Sequence, residues 1–423
     1  MHHLPVRRPD RYWKTSRKNF SKSWQDASTT PRPLATVLTY RPIMEIRRHW
    51  WIGVAVVVGL LAGWSGAVLQ AAGGESSGGL GAVVWESPAT QIPNPDFTQA
   101  DEQASAGQER PAGWHLEGGQ GRWRDRQLVE LQGRPKGANY WRTEPIPWQP
   151  GRLYRFEFRA RGDVRQGCVI SGPEFANRDW HSLTDRWQWR GFVFRVPDHV
   201  QQSIVRVGFW EAEGRLECDA VRLTPVLPVH LRQGDLELGE GESIRNGVYE
   251  FWTQFDGEGA NYHRPLASAM AAFNTDRYCF SGDAQVSYRF QLHGRKFTTG
   301  RVQCHLNYHA KGGCLVEVSR DGQNWQPLAR QDRVGQVEAD VPAGFLPAEA
   351  VWVRLRTADR ESYFQINQVR FTGLMDPTPG DLVGQTVFVE VGPTEGAEQK
   401  ASLPLRIEEL SLRADADTGQ PEL

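Results

Sequence analysis

Four short runs of this 423-residue sequence set an aromatic ring beside groups that donate or accept hydrogen bonds. They are Tyr140-Trp141, Asn177-Arg178-Asp179-Trp180-His181, Asn261-Tyr262-His263-Arg264 and Asn307-Tyr308-His309. An apolar ring flanked by a few fixed polar groups is the combination that holds and orients a saccharide. Tyr140, Trp141, Arg178, Asp179, Trp180, His181, Asn261, Tyr262, His263, Tyr308 and His309 are therefore the candidate ligand-binding residues. The competing use of the same side chains is packing, because large aromatics fill protein interiors and the chain carries 17 Trp. The Tyr-His pairs also admit general acid–base chemistry if His263 and His309 meet across strands. Neighbouring residues of a strand face opposite ways, so a Tyr-His dipeptide is not a dyad by itself.

Other chemistries leave no trace. There is no P-loop, His-Glu-x-x-His or dinucleotide fingerprint. Formal net charge is -1 and the isoelectric point about 6.8, which gives no electrostatic case for nucleic acid. Five cysteines occur, Cys168, Cys218, Cys279, Cys304 and Cys314, with no zinc-like spacing. Cys168 with Cys218, and Cys304 with Cys314, are conceivable disulfides; the odd count favours five buried thiols.

The elements that must position these groups are strands. Tyr154, Phe156, Phe158 and Ala160 alternate with Arg155, Glu157, Arg159 and Arg161. Val205, Val207 and Phe209 follow the same period, as do Val286, Tyr288, Phe290 and Leu292. Val351, Val353 and Leu355 alternate with Trp352, Arg354 and Arg356. One apolar and one polar face is the mark of antiparallel sandwich strands. Gln149-Pro150-Gly151, Pro197-Asp198 and Asp321-Gly322 supply the turns. The expected fold is all-β, with two tandem antiparallel β-sandwich (jelly-roll) domains at 94–226 and 234–374. Residues 375–423 add two strands, Thr386–Val391 and Leu405–Leu412, which are expected to pair onto a preceding sandwich, and a disordered tail from Ala414. The Asn177–His181 run is expected in a loop.

Particular residues give the sandwiches a family likeness. Asn94-Pro95-Asp96-Phe97, Pro150-Gly151-Arg152-Leu153-Tyr154 and Asp219-Ala220-Val221-Arg222-Leu223 stand in the order of an opening strand, a central-strand entry and a closing strand. This order resembles the carbohydrate-binding modules of the galactose-binding-like superfamily. Leu315-Val316-Glu317-Val318-Ser319-Arg320-Asp321-Gly322-Gln323-Asn324-Trp325 resembles the strand and turn of discoidin-like members, in which the Trp packs back on the sandwich. The resemblance implies a glycan or cell-envelope polysaccharide as ligand. It also implies a structural Ca²⁺ held by Asp219 on the closing strand and by Asp96, Asp101 or Glu102 from the first. Gly137-Ala138-Asn139-Tyr140 and Gly259-Ala260-Asn261-Tyr262 echo one another and hint at duplication.

Ahead of the sandwiches stands Trp50–Gly74, which contains no charged residue and is long enough to cross a bilayer as a helix. Residues 1–48 form a basic head of 11 Lys or Arg against three acids, expected to be disordered and cytoplasmic. Residues 49–72 are a signal peptide or a transmembrane anchor, and 73–93 a Gly, Ser and Pro-rich linker. Read from Met44, the segment is a complete secretory signal with cleavage near Ala71. The expectation is an exported, periplasmic or cell-surface protein, non-catalytic, binding glycan and meeting the membrane through its N-terminal helix. A structural protein that binds other envelope proteins is the second reading, and a jelly-roll polysaccharide lyase the third.

Overall fold

The computed structural model describes residues 92–105, 109–253, 255 and 261–390, with the backbone of 412–414 and 421–422. The basic head and the segment Trp50–Gly74 lie outside the described residues. Among those described no helix is long and apolar enough to cross a membrane.

Period-two patterning decides which face of each strand is buried. Tyr154, Phe156, Phe158 and Ala160 all point into the interior from the strand Leu153–Arg165. So do Val286, Tyr288 and Phe290 from Gln285–Gln291, and Val351, Val353 and Leu355 from Ala350–Thr357. The chain is nearly all β, with one 3₁₀ turn at Ala343–Phe345 among the described elements. Two hydrophobic clusters form. One gathers residues from Ile92 to Val221, the other residues from Val229 to Leu382. Each lies between two sheets, so each is a sandwich.

One sheet serves both sandwiches. Fourteen strands are linked in it, and the seam is a parallel pairing of Ala176–Trp180 with Ala272–Asn274. Asn177-Arg178-Asp179-Trp180 therefore lies on a strand, where a loop was expected. That strand pairs antiparallel with its neighbour Cys168–Pro173 and, across the seam, with a partner almost a hundred residues away in sequence. Paired residues of neighbouring strands point the same way. At the seam Ala176 and Phe273 both point into cores, and Asn177 and Asn274 point outward, where Asn177 Nδ2 donates to Asn274 Oδ1 at 3.3 Å. Both cores thus lie on one side of this spanning sheet.

A cover sheet closes each core on that side. The first contains Gly121–Arg124, Leu128–Gln132, Leu153–Arg165, Gln188–Arg195 and the 21-residue strand Glu213–Gln233. The second is five-stranded, in the order Leu266–Ala269, Gln285–Gln291, Ala350–Thr357, Cys314–Ser319, Gln326–Gln331. Glu213–Gln233 pairs with Leu153–Arg165 through Val226, with Thr386–Glu390 over Val226–His230, and with Leu236–Leu238 beyond that. The two sandwiches are joined by continuous strand as well as by the seam. Leu412–Ala414 runs parallel to Leu231–Arg232, and Pro421–Glu422 pairs with it, so strand structure reaches into the stretch expected to be a disordered tail.

All five cysteines are free thiols. Four are buried; burial pushes Cys168 up to about 12 and Cys279, half-exposed in its strand, up to about 11. They pack as small apolar groups.

Candidate functional site

A hollow with a volume of about 730 Å³ lies against the second cover sheet. Its floor follows from strand alternation. In Gln285–Gln291 the residues between the core positions point out, which exposes Arg289 and Gln291. In Ala350–Thr357 the same rule turns Trp352 outward, opposite Arg289 in register. The Arg289 guanidinium lies over the Trp352 ring, 5.4 Å from its centroid. Behind the indole is the turn after Cys314–Ser319. Gly322 has φ +73°, and a Cβ there would meet the Trp352 ring at 3.1 Å, so glycine is required both for the turn and for the approach. Asp321 fixes that turn by accepting the Gln323 and Asn324 N–H groups, each at 2.8 Å, and these bonds hold its carboxyl well below the usual range.

The walls come from elsewhere in the chain. The hairpin joining Glu213–Gln233 to Leu236–Leu238 contributes Arg232, Asp235 and Glu237. Arg295 ties its tip down, donating from Nη1 to Asp235 Oδ2 at 2.7 Å and to the His293 carbonyl at 2.9 Å. Opposite, Arg264-Pro265-Leu266 forms the second wall, with the Arg289 N–H donating to the Pro265 carbonyl at 2.7 Å. Arg264 is set by a buried network. Its guanidinium donates to both Glu242 oxygens, at 2.7 and 2.5 Å, and the Tyr249 hydroxyl donates to Glu242 Oε1 at 2.6 Å. Glu242 and Tyr249 are inaccessible to solvent. Burial works against the Arg264 charge, but the Glu242 carboxylate overrides it and holds the guanidinium protonated. The result is an indole beside convergent guanidinium, carboxylate, amide and imidazole groups, in a space of the size that binds small ligands.

None of the residues expected from the sequence lines this hollow. Trp141 is 2% exposed and belongs to the first core, which corrects its assignment to a ligand. Its alternation partner Tyr140 is half-exposed, with the Arg206 guanidinium 5.5 Å from its ring. Trp180 packs on Phe158 and donates from Nε1 to Ser171 Oγ at 2.8 Å, with Arg178 5.1 Å from its ring on the other side. Asp179 faces away from that pair, its carboxylate accepts from Asn177 at 2.5 Å, and its N–H donates to Thr275 Oγ1 at 2.9 Å across the seam. His181 is exposed, its Nδ1 3.1 Å from the Gly167 carbonyl. The run thus splits between the two faces of its strand.

Asn261, Tyr262 and His263 are structural. Asn261 is buried and grips the first sandwich: Oδ1 accepts from the Arg195 N–H at 2.8 Å and Nδ2 donates to the Arg195 carbonyl at 3.0 Å. Tyr262 stacks on His230 and touches Phe388, and its hydroxyl lies 3.2 Å from His230 Nε2. His263 is 7% exposed between Phe251 and Phe255, and burial pushes it down to about 3. Tyr308 packs on Tyr363, and His309 Nε2 lies 3.1 Å from the Gly312 carbonyl. His263 stands on Phe251, whose row in the spanning sheet runs through Phe371 to Val302. His309 is seven residues along that last strand, roughly 20 Å away. The dyad required for acid–base chemistry does not form.

The residues expected to hold calcium have these surroundings. Asp219 Oδ1 is buried without a hydrogen-bond partner, but Oδ2 lies 3.3 Å from the Arg159 guanidinium, where a cation would be repelled. Asp96 accepts from the Thr98 hydroxyl at 2.9 Å and caps its own turn, and Asp101 pairs with Arg110 at 2.8 Å. Among the described residues no three His, Cys, Asp or Glu side chains cluster.

No family model matches this chain, and no curated protein matches it. Similar solved structures include a CBM4 carbohydrate-binding module, 18% identical over 31% of this chain and 97% of that one, with a TM-score of 0.25. The CBM22-1-CBM22-2 tandem of Paenibacillus barcinonensis is 11% identical over 69% of this chain and all of that one, TM-score 0.25. A fucolectin from striped bass (Morone saxatilis) serum is 12% identical over 58% and 85%, TM-score 0.18. Likeness at this level carries no weight for what the chain binds.

The signal that would have found the hollow was in the sequence. Trp352 occupies the polar phase of an alternating strand, between positions that point into the core. An indole in that phase must face solvent or a ligand. Contiguous aromatic-polar runs attract the eye, but strand geometry scatters them over two faces.

Proposed function

We propose that this chain is a non-catalytic glycan-binding protein and that the hollow beside Trp352 holds the saccharide. One observation carries the reading: hydrogen-bonding groups from three separate segments, at Arg232–Glu237, Arg264–Leu266 and Gln291–His293, converge beside the Trp352 indole. Saccharides need this mixture, because each ring offers apolar C–H patches and a ring of hydroxyls that both donate and accept. The galactose-binding-like resemblance of the sequence belongs with this proposal. So does export, argued from the apolar segment Trp50–Gly74 and its basic flank.

Affinity electrophoresis of the full-length protein through gels carrying a panel of soluble polysaccharides tests the reading. Retardation by at least one polysaccharide is expected, with Trp352→Ala reducing it about ten-fold or more while the melting temperature stays within a few degrees. Retardation that survives Trp352→Ala would move the site elsewhere, and the absence of retardation by any polysaccharide would end the glycan reading. The protein-binding alternative rests on a different surface. Val248 and Leu374, paired in register on the outer side of the spanning sheet, are 37% and 45% exposed.

A further inference from the structure

The aromatic rings that face solvent in the two cover sheets share a feature that bears on the ligand: guanidinium groups lie over them. Arg161 sits 4.8 Å and Arg159 5.4 Å from the Trp187 centroid, and Arg222 4.2 Å from Trp189. In the second cover sheet Arg354 sits 4.3 Å from Trp325 and Arg289 5.4 Å from Trp352. A ring face covered by a cation is closed to the C–H stacking that a neutral sugar uses. What remains available is the outer face and fork of the guanidinium, held flat and weakly hydrated against the indole.

Most of these guanidiniums are already spoken for. Arg159 pairs with Asp219, Arg161 with Glu217 and Arg354 with Glu317. Arg222 and Arg289 differ. Both are exposed, both lie on an indole, and neither has a carboxylate partner among the described residues. One belongs to each sandwich. At the seam the cores of both sandwiches lie on the same side of the spanning sheet.

We infer that the ligand is an anionic polysaccharide, carboxylated or sulfated, whose acidic groups are taken by two guanidinium-on-indole stations, Arg222–Trp189 and Arg289–Trp352. The inference rests on the glycan reading and narrows it. A planar fork pre-set by stacking suits the two oxygens of a carboxylate or sulfate better than a sugar hydroxyl, and the bond is charge-assisted. A polymer long enough to engage both stations forms the second contact at high effective concentration.

The test uses the full-length protein as wild type, Arg222→Gln, Arg289→Gln, the double variant and the two Arg→Lys variants. The probes are polygalacturonate, its carboxyl-reduced neutral counterpart, dextran sulfate and phosphatidylglycerol vesicles. The basic head is common to all variants, so only differences between variants count. Polygalacturonate or dextran sulfate is expected to bind well above the reduced polymer. Each Gln variant should lose about ten-fold or more, the Lys variants less, and the double variant more than either single. Binding of the reduced polymer equal to that of polygalacturonate, unchanged in both Gln variants, would overturn the anionic ligand and leave the glycan reading standing. Binding of no polysaccharide would overturn both. Vesicle binding with the same variant losses, in place of polysaccharide binding, would assign the stations to a membrane surface and overturn the inference. Melting temperatures of the variants should match wild type, since both side chains are exposed.

Discussion

The outer faces of the two cover sheets are built from the same chemistry and differ in shape. Each centres on a nearly buried glutamate tied by arginines. Glu217 receives Arg161 and Arg215, both at 2.5 Å, and Arg124 at 3.1 Å. Glu317 receives Arg354 at 2.6 Å and Arg356 at 2.9 Å. Each carries two tryptophans under guanidinium groups. The hollow lies on the second face. Its walls are the hairpin after Glu213–Gln233 and the segment Arg264–Leu266, both of which rise beside the Arg289–Trp352 pair. The lesson is that side-chain composition sets what a face can attract, while the strands and turns around it set whether it encloses a ligand.

Removing a wall should break the comparison most strongly. Glu242→Ala leaves Arg264 and the Tyr249 hydroxyl without their buried acceptor, and the loss of one partner of a buried pair costs about 3–5 kcal/mol. Chemical denaturation followed by Trp fluorescence is expected to show that loss, together with weakened polysaccharide retardation. Equal stability with the hollow still binding would mean that the network does not shape the wall.

Acid should separate the sandwiches next. His263 stands at about 3 in the fold, below its ordinary value of 6.5, because burial excludes its charged form. The unfolded chain therefore takes up a proton that the folded chain refuses. The stability this position contributes is complete above pH 6.5 and falls as pH drops from 6.5 toward 3. At pH 5 the loss is about 2 kcal/mol, at 1.36 kcal/mol per unit. His263→Phe, flanked by Phe251 and Phe255, is expected to remove that loss between pH 6.5 and 5 in melting curves. An unchanged pH profile in His263→Phe would show that another group causes it.

The smallest effect sharpens the likeness of the two faces. Burial opposes the charge of Glu217 and of Glu317, but the hydrogen bonds and charges of their arginines hold both carboxyls below the ordinary value. Their stabilisation is present above about pH 4.5 and lost as pH falls further. Glu217→Gln and Glu317→Gln should each cost about 1 kcal/mol at pH 7. Glu217→Gln should cost more, because three guanidiniums lose their anion rather than two. A reversed order would mean that the outer pairs on Glu217 are spent on solvent.

Strand identity and facing were legible in the sequence. Leu153–Arg165, Gln285–Gln291 and Ala350–Thr357 bury the residues their alternation marks, because a strand has no other way to sort apolar from polar side chains. The candidate site was legible only in part. Trp352 and Arg289 stood in the polar phase of their strands, but nothing local said that a hairpin some sixty residues away in sequence from Arg289 and the Arg264 segment would wall them in. The Asn177–His181 run misled because its mostly polar residues hide the alternation of a strand that pairs both with its neighbour Cys168–Pro173 and, in parallel, across the seam. Tyr262 and His263 read as a polar site and proved to be packing, since their neighbours Phe388, Phe251 and Phe255 come from distant segments.

By itself the sequence determined an all-β body, the inward and outward phase of its strands, the turn at Asp321-Gly322 and a chain with no net charge to recruit nucleic acid. These are consequences of period-two geometry, of glycine's freedom at positive φ and of charge summed along the chain. Tertiary structure alone decided that two cores share one sheet, that Asn261 clamps one sandwich to the other, and that Trp352 rather than Trp141 meets the solvent side of a hollow. Those outcomes depend on pairings between residues tens to a hundred and more positions apart, whose free energy exists only once the chain has closed on itself.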